Sequence, residues 1–174
     1  RVINGTLNYS NLSDPANCTI DPDISVTKTS SVDFDPINMS SNPKAIPGSE
    51  IIYSLVVQNS GFGNPDGSTV VIVDALPIQV SMFVGNFSGG SPVAFIDGAT
   101  SSALGLAFGG LPNLSDGIDF SNNGGASFTY VPVPDADGFD GNITHLRINP
   151  SGIFAASDGV NHPSFAVEFK IRVD

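Results

Sequence analysis

The sequence predicts an all-β domain, and three observations support that prediction. The 13 Pro and 19 Gly among 174 residues leave no stretch of twelve or more with apolar residues at helical spacing. The short runs between them are rich in Val, Ile, Phe, Thr and Tyr, which favour strands. Charged residues make up only 13% of the chain, as suits strands joined by tight, uncharged polar turns. We therefore expect an antiparallel sandwich or barrel.

The strand predictions follow the chain from residue 23 to residue 173. Residues 23–29 alternate in character, and residues 50–58 read EIIYSLVVQ, a long β-branched run. Residues 164–173 place apolar side chains at every second position, as a half-buried strand requires. The remaining predicted strands are residues 68–74, 79–87, 93–96, 104–108, 127–131 and 144–148.

Turn signals separate these strands. Pro47-Gly48 suits a type II turn, in which Gly supplies the positive φ angle. Asn59-Ser60-Gly61, Asn123-Gly124-Gly125 and Pro150-Ser151-Gly152 are similar signals. Residues 10–22 hold two Pro and two Asp with no hydrophobic period, which predicts a linker. The chain therefore divides into an N-terminal strand with its linker, residues 1–22, and a β-domain, residues 23–174.

Composition excludes several classes of partner. The net charge of −11 would repel a phosphate backbone and an anionic membrane surface, so we expect no nucleic acid and no membrane insertion. No apolar run approaches the roughly 20 residues that span a bilayer. Cys18 is the one cysteine, so it forms no disulfide within the chain. The chain starts at Arg1 rather than Met, which indicates a processed, exported product or a trimmed sequence.

Residues 24–77 carry a family resemblance. Lys28-Thr29 in a first strand precedes the Pro47-Gly48 turn, a strand containing Tyr53, the turn Asn59-Ser60-Gly61 and the segment Asp74-Ala75-Leu76-Pro77. This order resembles the bacterial and archaeal cell-surface conserved repeat domain (domain of unknown function 11). The resemblance implies an immunoglobulin-like, Greek-key β-sandwich outside the cell, and it implies no reaction. Members usually occur as tandem repeats, whereas this sequence holds one copy.

An acidic segment is the best candidate for a metal site. Asp135, Asp137, Asp140 and Asn142 bring carboxylate and amide oxygens close together, and the intervening Gly residues allow a sharp bend. Such oxygens suit Ca²⁺, although the spacing is not that of a helical EF-hand loop. The alternative interpretation is an acidic turn built from residues that favour turns.

Lys28 is the second candidate, because it lies mid-strand among residues expected to pack inward. A buried Lys needs a partner. An isopeptide bond between Lys28 and Asn59, assisted by Asp74, is one possibility. The other is a Lys that reaches the sheet edge or pairs with Asp74.

Catalysis has little support in the sequence. His145 and His162 belong to no metal-binding pair, no Gly-x-Ser-x-Gly turn and no Cys-His arrangement. Cys18 has no basic neighbour in sequence that would lower its pKa. We therefore expect that the protein is not an enzyme and consumes no cofactor, apart from the calcium alternative.

The N-terminal residues 1–9 give the sharpest functional hypothesis. Ile3, Gly5, Leu7 and Tyr9 alternate with polar residues, so this segment reads as a strand carried on a linker. It pairs either with the sheet of its own domain or with a neighbouring copy. Head-to-tail donation does not close and generates filaments. The prediction is an extracellular structural subunit that polymerises with itself, and the alternative is a calcium-dependent adhesion or ligand-binding module at the cell surface.

Overall fold

The computed structural model describes the backbone of Val2–Ile3 and Thr6–Leu7 and the whole of residues 20–174. Described residues contain strands and no helix, and every ladder between strands is antiparallel, so the all-β prediction is confirmed. The strands are β1 (Val2–Ile3), β2 (Thr6–Leu7), β3 (Ile24–Phe34), β4 (Glu50–Asn59), β5 (Ile72–Ala75), β6 (Val80–Phe83), β7 (Val93–Asp97), β8 (Leu104–Gly105), β9 (Ile118–Ser121), β10 (Phe139–Asp140), β11 (His145–Ile148), β12 (Ser151–Gly152) and β13 (Ser164–Val173).

The larger sheet is built around β13. Its order is β10-β6-β13-β4-β3, and β7 also pairs with β13. One edge of β13 pairs with β4 from Ser164 to Arg172. The other edge is shared, since β7 pairs with residues 165–169 and β6 with residues 171–173. This sheet does not close on itself, so β3 and β7 are edge strands.

A three-stranded sheet of order β5-β11-β9 contributes the other half of the core. Leu146 and Ile148 of the central strand β11 are fully buried. Strands β8 and β12 pair with each other and form a separate two-stranded sheet. Both sheets bury their apolar residues in one hydrophobic cluster. Its largest fully buried members are Phe120, Phe154, Phe165, Phe169, Met82, Ile118, Leu146, Ile148 and Ile171.

Sequence reasoning placed the long strands well and the short ones poorly. Residues 50–58 and 164–173 form β4 and β13, with the predicted alternation of buried and half-buried residues along β13. Gly48 has the expected positive φ of 86°. Residues 127–131 form only a bridge from Tyr130 to Phe120, which is a correction. Ser151–Gly152, predicted as a turn, pairs with β8, and both β9 and β10 were missed.

Candidate functional site

The acidic segment 135–142 directs two of its carboxylates to a basic side chain. Arg172 of β13 donates to Asp135 Oδ2 at 2.8 Å and to Asp137 Oδ2 at 3.4 Å. The other oxygen of Asp135 accepts from the backbone N–H groups of Asp137 and Phe139, both at 2.9 Å. Hydrogen bonding from Phe139 N–H and then from Arg172 lowers the pKa of Asp135. Because these donors occupy both oxygens of Asp135, its carboxylate stabilises the turn in which it lies.

Asp140 points elsewhere and is buried. Its Oδ2 accepts from Tyr130 Oη at 2.8 Å and from Val133 N at 2.7 Å, while its Oδ1 accepts from Asn142 N and Nδ2. Burial and then the hydrogen bond to Asp140 raise the pKa of Tyr130. Within residues 20–174 no group of three His, Cys, Asp or Glu side chains is arranged to hold a metal ion. The predicted calcium ligands are thus divided between Arg172 and Tyr130, and the geometry favours the turn interpretation.

Lys28 and Asp74 meet, whereas Asn59 lies apart from them. Lys28 Nζ is 2.7 Å from both carboxylate oxygens of Asp74 and 4.3 Å from the centre of the Tyr53 ring. Lys28 pairs with Leu55 across β3 and β4, but Asn59 pairs with Ile24, four residues along the strand. At ~3.3 Å per residue that offset is about 13 Å. The structure therefore shows the predicted Lys28–Asp74 pair and not the contact that a Lys28–Asn59 bond needs.

Asn59 has a structural role of its own. It is fully buried, and its Oδ1 accepts from Asp23 N and Gly61 N. Its Nδ2 donates to Gly63 O and Ala155 O, both at 2.9 Å. One side chain thus ties the start of β3 to two loops, and its amide nitrogen is fully used.

Sequence reasoning missed a buried carboxylate that accepts four hydrogen bonds, that of Asp35. Asp35 is buried after β3, where its oxygens accept from Ile37 N, Asn38 N, Asn38 Nδ2 and Lys44 N at 2.5–3.0 Å. Burial opposes ionisation, but the hydrogen bonds outweigh it and lower the pKa of Asp35 to about 2. The signal in the sequence was Asp35-Pro36-Ile37-Asn38, a typical Asx-turn pattern.

Each histidine contacts a neighbouring hydroxyl. His145 Nδ1 is 3.3 Å from Thr144 Oγ1. His162 Nδ1 is 2.8 Å from Ser157 Oγ, which is also 3.1 Å from Asn161 O and accepts from Gly159 N. The hydroxyl has one proton to donate, so the tautomer of His162 determines whether Ser157 donates to the ring nitrogen or to the Asn161 carbonyl. These hydrogen bonds organise the turn at residues 157–162.

The N-terminal segment forms its own small ladder. Val2 pairs with Leu7 and Ile3 with Thr6, antiparallel. Among the strands that the structure describes, neither β1 nor β2 pairs with a strand of the body. The single strand predicted for residues 1–9 is thus divided in two, because residues 2–3 fold back on residues 6–7. Gly5, Tyr9 and the side chains of Ile3 and Leu7 lie outside the described residues, so the shared face predicted for them stays a prediction.

Among the described strands of the larger sheet, β3 and β7 are the edge strands of five residues or more, whereas the edge strand β10 has two. On β3, the bond from Ser60 N to Asp23 O shows that odd-numbered residues turn their backbone groups toward β4. The even-numbered residues Ile24 to Val32 therefore present N–H and C=O groups on the open side. On β7, the bond from Gly98 N to Ser164 O directs even-numbered residues to β13 and leaves Phe95 and Asp97 open.

A groove lies beside the open side of β7. We call it the β7 groove, a depression of about 500 Å³ between β7 and residues 106–110. Its apolar lining residues are Val93 and Phe95 of β7 together with Leu106 and Phe108. Phe95 stacks on Phe165 with ring centres 5.1 Å apart, which fixes Phe95 to the core. The remaining lining residues are Ser88, Gly89, Gly90, Ser91 and Gly110.

Comparisons with known proteins give no match: no family model, no curated protein and no solved structure aligns significantly with this chain. The described residues contain no helix that is long and apolar enough to cross a membrane.

Proposed function

We propose that this protein is a structural subunit of an extracellular filament or matrix, in which residues 1–9 of each copy add a strand to the sheet of the next. The observation that supports the proposal is that β1 and β2 pair with no described strand of their own body, while β3 and β7 leave sheet edges unpaired. An unpaired edge is a template for a strand from another chain. Because donation is head-to-tail, the assembly does not close.

The energetics favour exchange of the N-terminal ladder for an intermolecular one. Two residue pairs hold β1 to β2, and an isolated two-stranded hairpin is marginally stable in water. A strand added to β7 would face five residues, Val93 to Asp97, beside a groove whose lining of Ser and Gly residues also includes Val93, Phe95, Leu106 and Phe108. Burial of apolar side chains contributes about 25 cal/mol for each Å² removed from water. Opening the ladder between β1 and β2 therefore costs little free energy compared with the free energy that docking of the strand would gain.

We also propose that the fold is an immunoglobulin-like sandwich and that the protein lies outside the cell. Two antiparallel sheets that share one core agree with an immunoglobulin-like Greek-key sandwich. The resemblance of residues 24–77 to the cell-surface repeat domain supports placement outside the cell. The calcium-dependent alternative stays a prediction, and donors within the protein already engage Asp135 and Asp140.

Deletion of residues 1–12 tests the proposal. We expect the intact chain to form filaments in negative-stain electron micrographs and the shortened chain to sediment as a folded monomer. Filaments that persist after the deletion would show that this segment donates nothing.

A charge-matched pair of variants separates the strand face from the segment as a whole. Ile3→Asp with Leu7→Asp places charges on the face predicted to dock, and Asn4→Asp with Asn8→Asp places the same charges on the other face. We expect the first pair to abolish filaments and the second to retain them. Equal loss in both would indicate an electrostatic effect and contradict strand insertion.

A further inference from the structure

We propose that the β7 groove, and not the longer edge of β3, is the acceptor for residues 1–9 of a second copy. This inference rests on the proposed function and deepens it by naming the site that receives the donated strand. Four features support it: the open backbone of β7, the apolar lining residues, the glycine rim and the charge of the segment.

The open backbone of β7 supplies the ladder. The N–H and C=O groups of Phe95 and Asp97 point away from β13, and no described strand takes them. A strand laid along this side would extend the pairing of β13 with β7 by one more strand. The new strand would lie directly over the groove.

The apolar lining residues supply the contacts for alternate side chains. Phe95, Leu106 and Phe108 are half-buried and pack against the main core while also lining the groove. A strand docked here turns every second side chain toward these residues. Ile3 and Leu7 have that spacing, and Gly5 lies between them.

The glycine rim leaves room for the incoming backbone. A Cβ atom added at Gly89 or Gly90 would meet nothing within 4 Å, and both residues have positive φ angles. Close approach of a second backbone is a common reason for glycine at a sheet margin.

The edge of β3 is a poorer acceptor. Its core-facing row is interrupted by Lys28, which is held at 2.7 Å by Asp74 of β5. Asp33 lies near its end and pairs with Lys170. Charged side chains on an edge strand are a common device against strand addition. Within the described residues, β3 also has no lining comparable to Leu106 and Phe108.

Charge favours the same site. Arg1 is the only base before Lys28, and residues 1–9 contain no acid, so the segment is basic while the rest of the chain is acidic. No Lys or Arg lines the groove. Asp97 ends β7, and Asp116 accepts from Gly109 N at 2.7 Å next to the lining residue Gly110. The acidic residues near the groove complement the basic segment.

Cysteine cross-linking between two different chains tests the assignment. One chain carries Gly5→Cys, and the other carries either Ser88→Cys in the groove or Ser30→Cys on the open side of β3, all with Cys18→Ser. Both Ser residues are exposed, so neither replacement disturbs the core. Because each chain holds one thiol, a disulfide between unlike chains must be intermolecular, and it forms only when the Cα atoms come within about 7 Å.

After mixing and mild oxidation, non-reducing gels should show at least about tenfold more linked dimer with Ser88→Cys than with Ser30→Cys. The reverse preference would overturn the groove as acceptor and leave strand donation standing. Absence of both links in a sample that forms filaments would overturn the acceptor alone. Absence of links together with absence of filaments from the intact chain would overturn the proposed function as well.

Discussion

Strands β3 and β13 belong to one sheet and have nearly equal length, yet they differ completely in burial. Strand β13 is paired along both edges, and its core-facing residues Phe165, Val167, Phe169 and Ile171 are at most 1% exposed. Strand β3 is paired on one edge, and its first eight residues are all exposed. Position in the sheet, as well as residue type, decides which strand stabilises the fold and which remains a surface.

The row formed by Val26, Val57 and Phe165 shows this difference within three neighbouring strands. Val26 of β3 faces Val57 of β4, which faces Phe165 of β13. Val57 and Phe165 are 1% exposed, but Val26 is 56% exposed. The core therefore ends between β4 and β3, so the strands of the sheet should contribute unequally to stability.

The largest effect is expected from one substitution made at both valines. Val57→Ala removes two buried methyl groups and leaves a cavity, so the free energy of unfolding should fall by about 2–3 kcal/mol. Val26→Ala makes the same chemical change at an exposed site and should cost less than about 0.5 kcal/mol. Urea unfolding measures both. Similar losses at the two positions would show that β3 is as well packed as β4.

The next effect concerns β10, at the end of the sheet opposite β3. Asp140→Asn removes the charge that accepts hydrogen bonds from Tyr130 and Val133, and we expect a loss of about 1–3 kcal/mol. Asp137→Asn is the matched control, since Asp137 is exposed and its contact with Arg172 is 3.4 Å. Urea unfolding of the two variants compares them, and equal losses would contradict a structural role for the buried carboxylate.

Acid should loosen the loop that follows β3. The pKa of Asp35 is lowered to about 2 from an ordinary 3.8, so its contribution to stability is complete above about pH 5 and is lost progressively as the pH falls to about 2. Asp35→Asn should therefore be less stable at pH 7 and lose less between pH 4 and pH 2. Thermal unfolding across that range tests the expectation, and parallel curves for the two proteins would contradict it.

Asp35 and Asp140 also show which contacts could not be predicted from the sequence. The long alternating runs that became β4 and β13 were visible because burial imposes a period of two on ten consecutive residues. The two-residue strand β10 has no period, and it lies inside a segment rich in turn-forming residues. The sequence therefore predicted Asp140 as a metal ligand, and it did not predict the hydrogen bonds that Asp140 accepts from Tyr130 and Val133.

The candidate site was predictable only in part. Open edges such as those of β3 and β7 depend on which strands become neighbours, and sequence alone does not give that order. The β7 groove also needs residues 106–110 brought beside β7. Residues 1–9 were recognisable as a candidate donor, but the acceptor that we propose for them depends on the sheet order.

The smallest effect concerns the Lys28–Asp74 pair, which fastens the exposed strand β3 to β5. The Lys28 side chain is 33% exposed and that of Asp74 is 12% exposed, so solvent screens the pair and Asp74→Asn should cost about 0.2–1 kcal/mol. The effect on local opening of β3 should be larger than this effect on global stability. We expect amide hydrogen exchange to accelerate in β3 and to stay unchanged in β13, because local opening follows weak attachment. If β13 exchanged faster as well, the ion pair would support the whole sheet, and β3 would not be a separately held edge.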